Sequence, residues 1–244
     1  MTDHAPLVIL PPLGEGAGES WSGLLDLSDA VPEGWCLIGG FMVLLHCIER
    51  GAAPTRPTDD GDAVVDLRAR PTMLRELTAA LVSVGFAADG ITADGHQHRW
   101  MRGRAKIDVL IPDGIGERAA SATGIGGATT LQAPGTTQAL GRAQPVRVQH
   151  GSRVGRIDRP TMLGALVAKA AALEIADGVR GQRHIIDFCN LAPLVARADL
   201  IGPTPKDRQR LRRMLAKAEQ HPGIIASVDG AADGLRRIAM AIDA

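Results

Sequence analysis

The chain has 244 residues, with 27 Lys plus Arg against 27 Asp plus Glu, 45% apolar residues and 2% aromatic ones. The balanced charge excludes a protein that grips nucleic acid by bulk positive charge, and the apolar fraction excludes wholesale disorder. The length fits one large domain, or a core with a helical companion. With three Phe, three Trp and no Tyr, the interior must be built from Ala, Val, Leu and Ile.

Met1 to Pro12 has no basic region and is broken by Pro11-Pro12, so it does not read as a signal peptide. No segment reaches 18 apolar residues, and a cytoplasmic protein without a membrane partner is expected. Cys36, Cys47 and Cys189 lack CxxC spacing and lie in apolar surroundings, as buried free thiols do. Pro11 to Gly23 reads as a mobile arm, within a lead-in spanning 1–34. Trp35 to Ile38 is a strand, Gly39-Gly40 a turn, and Phe41 to Ile48 a helix. Pro54 and Pro57 keep Gly51 to Asp60 a loop. Asp62 to Leu67 is a strand, and Thr72 to Val84 a helix with Leu74, Leu77, Leu81 and Val82 at helical spacing.

Strands are expected over Phe86–Thr92, Gln97–Arg102 and Ala105–Ile111, then a glycine-rich loop with a short strand near Ala128–Gln132. Pro145–Gln149 and Val154–Ile157 are two more strands. From Pro160 the period turns helical: Met162–Ala176, Gln182–Ala198 interrupted or bent at Pro193, a helix capped by Thr204-Pro205, and Ile224–Ile242 broken at Gly230 or Gly234. The expected fold is α/β: one mixed sheet flanked by helices over 35–158, followed by a helical region over 159–244.

Three features carry chemistry. Gly39-Gly40, between strand and helix, lets backbone N–H groups approach a phosphate. Asp60 and Asp62 fall on one strand face, where a shared cation would relieve their repulsion; a solvated acidic turn is the alternative. Asp108 lies mid-strand in AKIDVLIP, where a partnerless carboxylate is costly and a metal shared with Asp60 and Asp62 would remove the cost. Three carboxylates suit Mg²⁺ (Mn²⁺ being the alternative) and not zinc. Arg99, Arg102, Arg104 and Lys106 form a basic cluster near Asp108, with 102, 104 and 106 on one strand face; all four, Lys106 included, could meet triphosphate or acceptor phosphate, with plain solvation as the alternative. His96 and His98 share a face without a third ligand. The run Gly124 to Gly127 lacks the Lys-Ser/Thr of a phosphate loop.

These segments, LIGGFMVLLH, RPTDDGDAVVD and KIDVL, resemble the nucleotidyltransferase superfamily that includes DNA polymerase beta, and more closely its AbiEii-like and MenT-like toxin branch. The resemblance covers about residues 35 to 197. It implies a nucleotidyltransferase-like fold, NTP as substrate, two Mg²⁺ ions and transfer of NMP to a hydroxyl. Under it, Gly39 and Gly40 cradle the triphosphate, Asp60 and Asp62 hold both ions, and Asp108 holds the catalytic one. Arg56 and Thr58 match the Arg and Ser/Thr preceding the Asp pair, and Lys169 and Asp187 match the helical motifs. The chain departs from the pattern in the loop Ala52–Pro57, and His184 replaces an acidic residue. The implied acceptors are an RNA or tRNA end, with a cognate antitoxin as partner, or an aminoglycoside, for which Asp59, Asp66 and Asp113 are available extra acids. A non-catalytic nucleotide-binding relative is the other alternative.

Overall fold

A computed structural model describes residues 5–176 and 178–243; residues 1–4 of the expected lead-in and residue 244 lie outside them. The expected arm is instead part of the core. β1 (Leu7–Ile9) is followed by α1 (Glu15–Ala30). Glycines and serines give α1 poor intrinsic propensity, yet Trp21, Leu24, Leu25 and Ser28 recur at helical spacing and are buried. Burial of one face outweighs propensity. Gly23 serves close packing here, since a Cβ on it would lie 2.5 Å from the Phe86 ring.

Next come β2 (Trp35–Ile38), α2 (Gly39–Glu49), β3 (Asp60–Val65) and α3 (Met73–Ser83), close to their expected bounds. The strand expected over Phe86–Thr92 shrinks to β4 (Ala87–Ala88), because Asp89-Gly90 turns the chain away. β5 (Arg99–Arg102) and β6 (Ala105–Pro112) form a hairpin about Gly103, whose φ is +58°. After α4 (Glu117–Ala120), β7 (Gln132–Ala133) and α5 (Thr136–Leu140), a second hairpin joins β8 (Ala143–His150) to β9 (Arg153–Pro160).

Two sheets result, where one was expected. The central sheet runs β2-β3-β6-β5-β4 with β7 on β6, and the other runs β1-β8-β9. The central sheet is mixed: β2 pairs antiparallel with β3, and β3 parallel with β6. β9 packs beside β2.

The helical region comprises α6 (Met162–Ala172), α7 (Gly178–Leu191), two 3₁₀ turns, α8 (Pro205–Glu219), α9 (Pro222–Ala226) and α10 (Ala231–Asp243). Pro193 interrupts the segment expected over Gln182–Ala198: α7 ends at Leu191 and a 3₁₀ turn, Ala192–Leu194, follows. Thr204 caps α8, its Oγ1 accepting from the Asp207 N–H, and Gly230, at φ +71°, separates α9 from α10. The architecture is therefore mixed α/β, a central mixed sheet flanked by helices, with a C-terminal helical region.

The interior forms two main cores that share α2. Phe41, Leu44 and Leu45 face the sheet side, where Phe41 stacks on Trp21 with ring centroids 4.6 Å apart. Met42, Val43 and Cys47 face the C-terminal helices. The three cysteines are free and buried, and burial pushes the Cys47 thiol up to about 12. Among the described residues no helix is long and apolar enough to cross a membrane.

Candidate active site

Strand register brings the acidic residues together. Asp60 and Asp62 share a face of β3 by alternation. In the parallel ladder Asp62 lies opposite Asp108 and Asp60 opposite Lys106. In the β5–β6 hairpin Arg99 lies opposite Asp108. All five side chains therefore leave one face of the sheet.

The expected partnerless Asp108 has a partner. It is buried, and Arg99 grips it with a two-armed fork, Nε donating to Oδ1 and Nη2 to Oδ2, both at 2.8 Å. Such bidentate pairs are the strong form of the arginine–carboxylate interaction. The same Nη2 lies 3.7 Å from Asp60 Oδ2. The bond with Asp108 holds the Arg99 guanidinium charged well above its ordinary range. The expected basic cluster does not form. Arg102 leaves the opposite face, where it bonds Asp26 and lies over the Phe86 ring, and Arg104 sits in the turn on Glu15.

Gly39 and Gly40 are required by proximity. Gly39 has φ +70°, and a Cβ there would lie 1.7 Å from Asp62 Oδ2; one on Gly40 would lie 2.5 Å from Thr58 Oγ1. The N-terminus of α2 thus presses against the acidic strand, with its amides and dipole nearby. Thr58 Oγ1 donates to Asp60 Oδ1 at 3.0 Å. Asp62 has no hydrogen-bond or ion-pair partner among the described residues. Burial, then the charges of Asp60 and Asp108, push its carboxyl up to about 7.

The opposite wall is built by α6, α7 and the loop before β3. Asp187 takes Arg56 in a fork at 2.7 Å on each arm and Lys169 Nζ at 2.6 Å. Lys169 and Asp187 are both buried. Burial alone would raise the Asp187 carboxyl, but Lys169 and Arg56 hold it below the usual carboxylate range. Asn190 exchanges hydrogen bonds with Thr55, so the lengthened loop is pinned to α7 at two points. His184, in the place of the implied acid, is pushed down to about 4 by burial and by Lys169, and its buried Nδ1 has no partner among the described residues.

Between the walls lies a cleft of about 370 Å³, lined among others by Gly39, Gly40, Arg56, Thr58, Asp60, Asp62, Lys169, Arg183 and His184. Lys106, Asp108 and Asp187 are not among the residues lining it. Asp59, Asp66 and Asp113 do not line it: Asp66 caps the turn after β3, and Asp113 bonds Thr137 and Arg210. His96 is taken by Thr129, and the Gly124–Gly127 run packs on Thr78 of α3. Among the described residues no three His, Cys, Asp or Glu side chains gather into a metal cluster.

The sequence places Arg99 in a phosphate-facing basic cluster and not on Asp108, and it gives Arg183 no role. For Arg99 a signal existed: counting outward from the Gly103-Arg104 turn pairs Arg102 with Ala105, and hence Arg99 with Asp108. No comparable signal marks Arg183, whose place depends on how α6 and α7 pack.

No protein-family model and no curated protein matches the chain. Among solved structures, that of the antibiotic-resistance factor ANT(2'')-Ia is similar at 13% identity, over 84% of this chain and 96% of that one, with a TM-score of 0.46. This likeness does not assign the chain to a family.

Proposed function

We propose that this protein transfers a nucleoside monophosphate from an NTP to a hydroxyl acceptor. The observation that carries the reading is Asp62: a carboxylate with no hydrogen-bond or ion-pair partner among the described residues, beside Asp60, at the foot of a helix N-terminus that two glycines bring into contact with it. Opposite stand Arg56, Lys169 and Arg183, cations fit to meet a polyphosphate.

The donors suit a hard divalent ion, Mg²⁺ or Mn²⁺. Asp60 and Asp62 offer carboxylate oxygens on one face, and an unpaired Asp62 is what a cation would stabilise. When bound, such an ion supplies charge neutralisation at the phosphates and polarises the acceptor. The chain's own residues do the rest. Thr58 orients Asp60, the Gly39-Gly40 amides line the phosphate path, and Asp187 fixes Lys169 and Arg56 in place. Preorganised charge of this kind is the main protein contribution to phosphoryl transfer. We assign 35–158, together with β1 and α1, to this α/β unit and 159–244 to a helical unit closing its cleft.

The second reading, a nucleotide binder without turnover, is favoured by one observation: Arg99 occupies both oxygens of Asp108. The test is incubation with each labelled NTP, Mg²⁺, and either total RNA or a panel of small hydroxyl compounds that includes aminoglycosides. Label transferred to one acceptor class, and lost in Asp60→Asn/Asp62→Asn, supports the transferase and names the acceptor. Nucleotide bound by equilibrium dialysis without any transfer supports the binder. A toxin-like role, with tRNA as acceptor and an antitoxin as partner, requires label on RNA.

A further inference from the structure

Resting on the reading of the cleft as a site for divalent ion and nucleotide, we propose that Arg99 stands in for a second metal ion. The cleft then takes one divalent cation, on Asp60 and Asp62, and the guanidinium supplies the positive charge that a second ion would bring to Asp108. Arg99 is a positioning and charge-compensating residue in this scheme.

The two arms of the fork, each at 2.8 Å, engage both oxygens of Asp108. A metal binding Asp108 would share these oxygens with the guanidinium or displace an arm, and in either case a dication would face the Arg99 charge in a half-buried setting. Nη2 also leans toward Asp60 Oδ2 at 3.7 Å, so the guanidinium reaches both the Asp108 and the Asp60 carboxylate. The hairpin register fixes this position, because Arg99 and Asp108 are direct cross-strand neighbours. Charge agrees in sign: with Arg99 committed to Asp108 and Lys106 on the same face, the three carboxylates still leave the sheet wall net negative, which favours one divalent ion. Among the described residues Asp62 has no hydrogen-bond or ion-pair partner and Asp60 only the Thr58 hydroxyl and that long contact, so these are the carboxylates available to such an ion.

The test is Mn²⁺ binding to the full chain without nucleotide, read as loss of the free Mn²⁺ paramagnetic resonance signal. The wild type should bind one ion per chain, and Arg99→Met two. Because Arg99→Met strands Asp108 and folding can suffer, the double variant Arg99→Met/Asp108→Asn is measured beside it. Having lost both partners of the pair, it should still bind one ion, within about threefold of wild-type affinity. Two ions or none per wild-type chain overturns the proposal, and so does a tenfold or larger loss of affinity in the double variant. One ion per wild-type chain with no NMP transfer to any acceptor keeps this inference and defeats the transferase reading. Transfer accompanied by two ions does the reverse.

Discussion

The two walls of the cleft solve the same problem, buried charge, in opposite ways. On the helical wall Asp187 is shared by Lys169 and Arg56 at 2.6 to 2.7 Å, so one carboxylate serves two cations. On the sheet wall one guanidinium serves Asp108, with Asp60 at the longer distance and Asp62 unpaired. The helical wall carries surplus positive charge and is tightly bonded; the sheet wall carries surplus negative charge and is not. A buried pair strongly resists losing a partner, whereas crowded like charges gain from losing one. The teaching is that the tightly bonded wall is scaffold first, and the strained wall is where a ligand has free energy to gain.

The contrast breaks most easily at Asp187. Asp187→Asn strands two cations and should cost about 3–5 kcal/mol of stability, read as a lower urea midpoint; a loss below about 1 kcal/mol would erase the distinction. Next, Asp108→Asn should cost about 1.5–3 kcal/mol by leaving Arg99 with a neutral partner. Asp62→Asn, on the same face, should leave the metal-free protein equally or more stable. Equal losses at both positions would mean that the sheet wall is as well paired as the helical one.

The pH response sharpens the point. The Asp62 carboxyl rises from an ordinary 3.8 to about 7 on folding, so the folded state binds the extra proton. Its contribution is full below about 4 and is lost as pH rises through about 7. Without divalent ions, the wild-type Tm should therefore fall relative to that of Asp62→Asn across this window. A constant difference between the two would refute the shift. Lys169→Met should lower kcat/KM by about tenfold, or about 1.4 kcal/mol, since Arg56 still serves Asp187. The smallest effect belongs to Arg104→Ala at the exposed hairpin turn, within about 0.5 kcal/mol.

Much of this was legible in the chain. Trp35–Ile38, the glycine pair, the helix after it and the Asp-Gly-Asp strand are local patterns, and the structure keeps them. The switch to helical period at Pro160 is equally local. The misreadings share one cause, in that tertiary contacts decide them. α1 has the composition of a linker and becomes helical because Trp21, Leu24 and Leu25 are buried against the sheets. The separation of β8 and β9 into a sheet with β1 depends on a parallel pairing of Leu7–Ile9 with Arg147–Gln149, which no local signal announces. Asp108 was read as unpaired because Arg99, nine positions earlier, becomes its neighbour only once the hairpin register is counted.

The sharing of α2 between two cores has a mechanical consequence. A cleft between two lobes usually opens by bending a linker, but here the first residues of the joining helix form the floor of the site and its body is keyed into both interiors. Swinging the halves apart would pull Phe41 from Trp21 on one side or Met42 and Val43 from the helices on the other, at roughly 1.5–3 kcal/mol for each large side chain exposed. The spacing between the carboxylates of β3 and the cations of α6 and α7 is thereby set by one rigid strut. A ligand enters a gap of preset width, and heat should dissolve site and scaffold in a single transition.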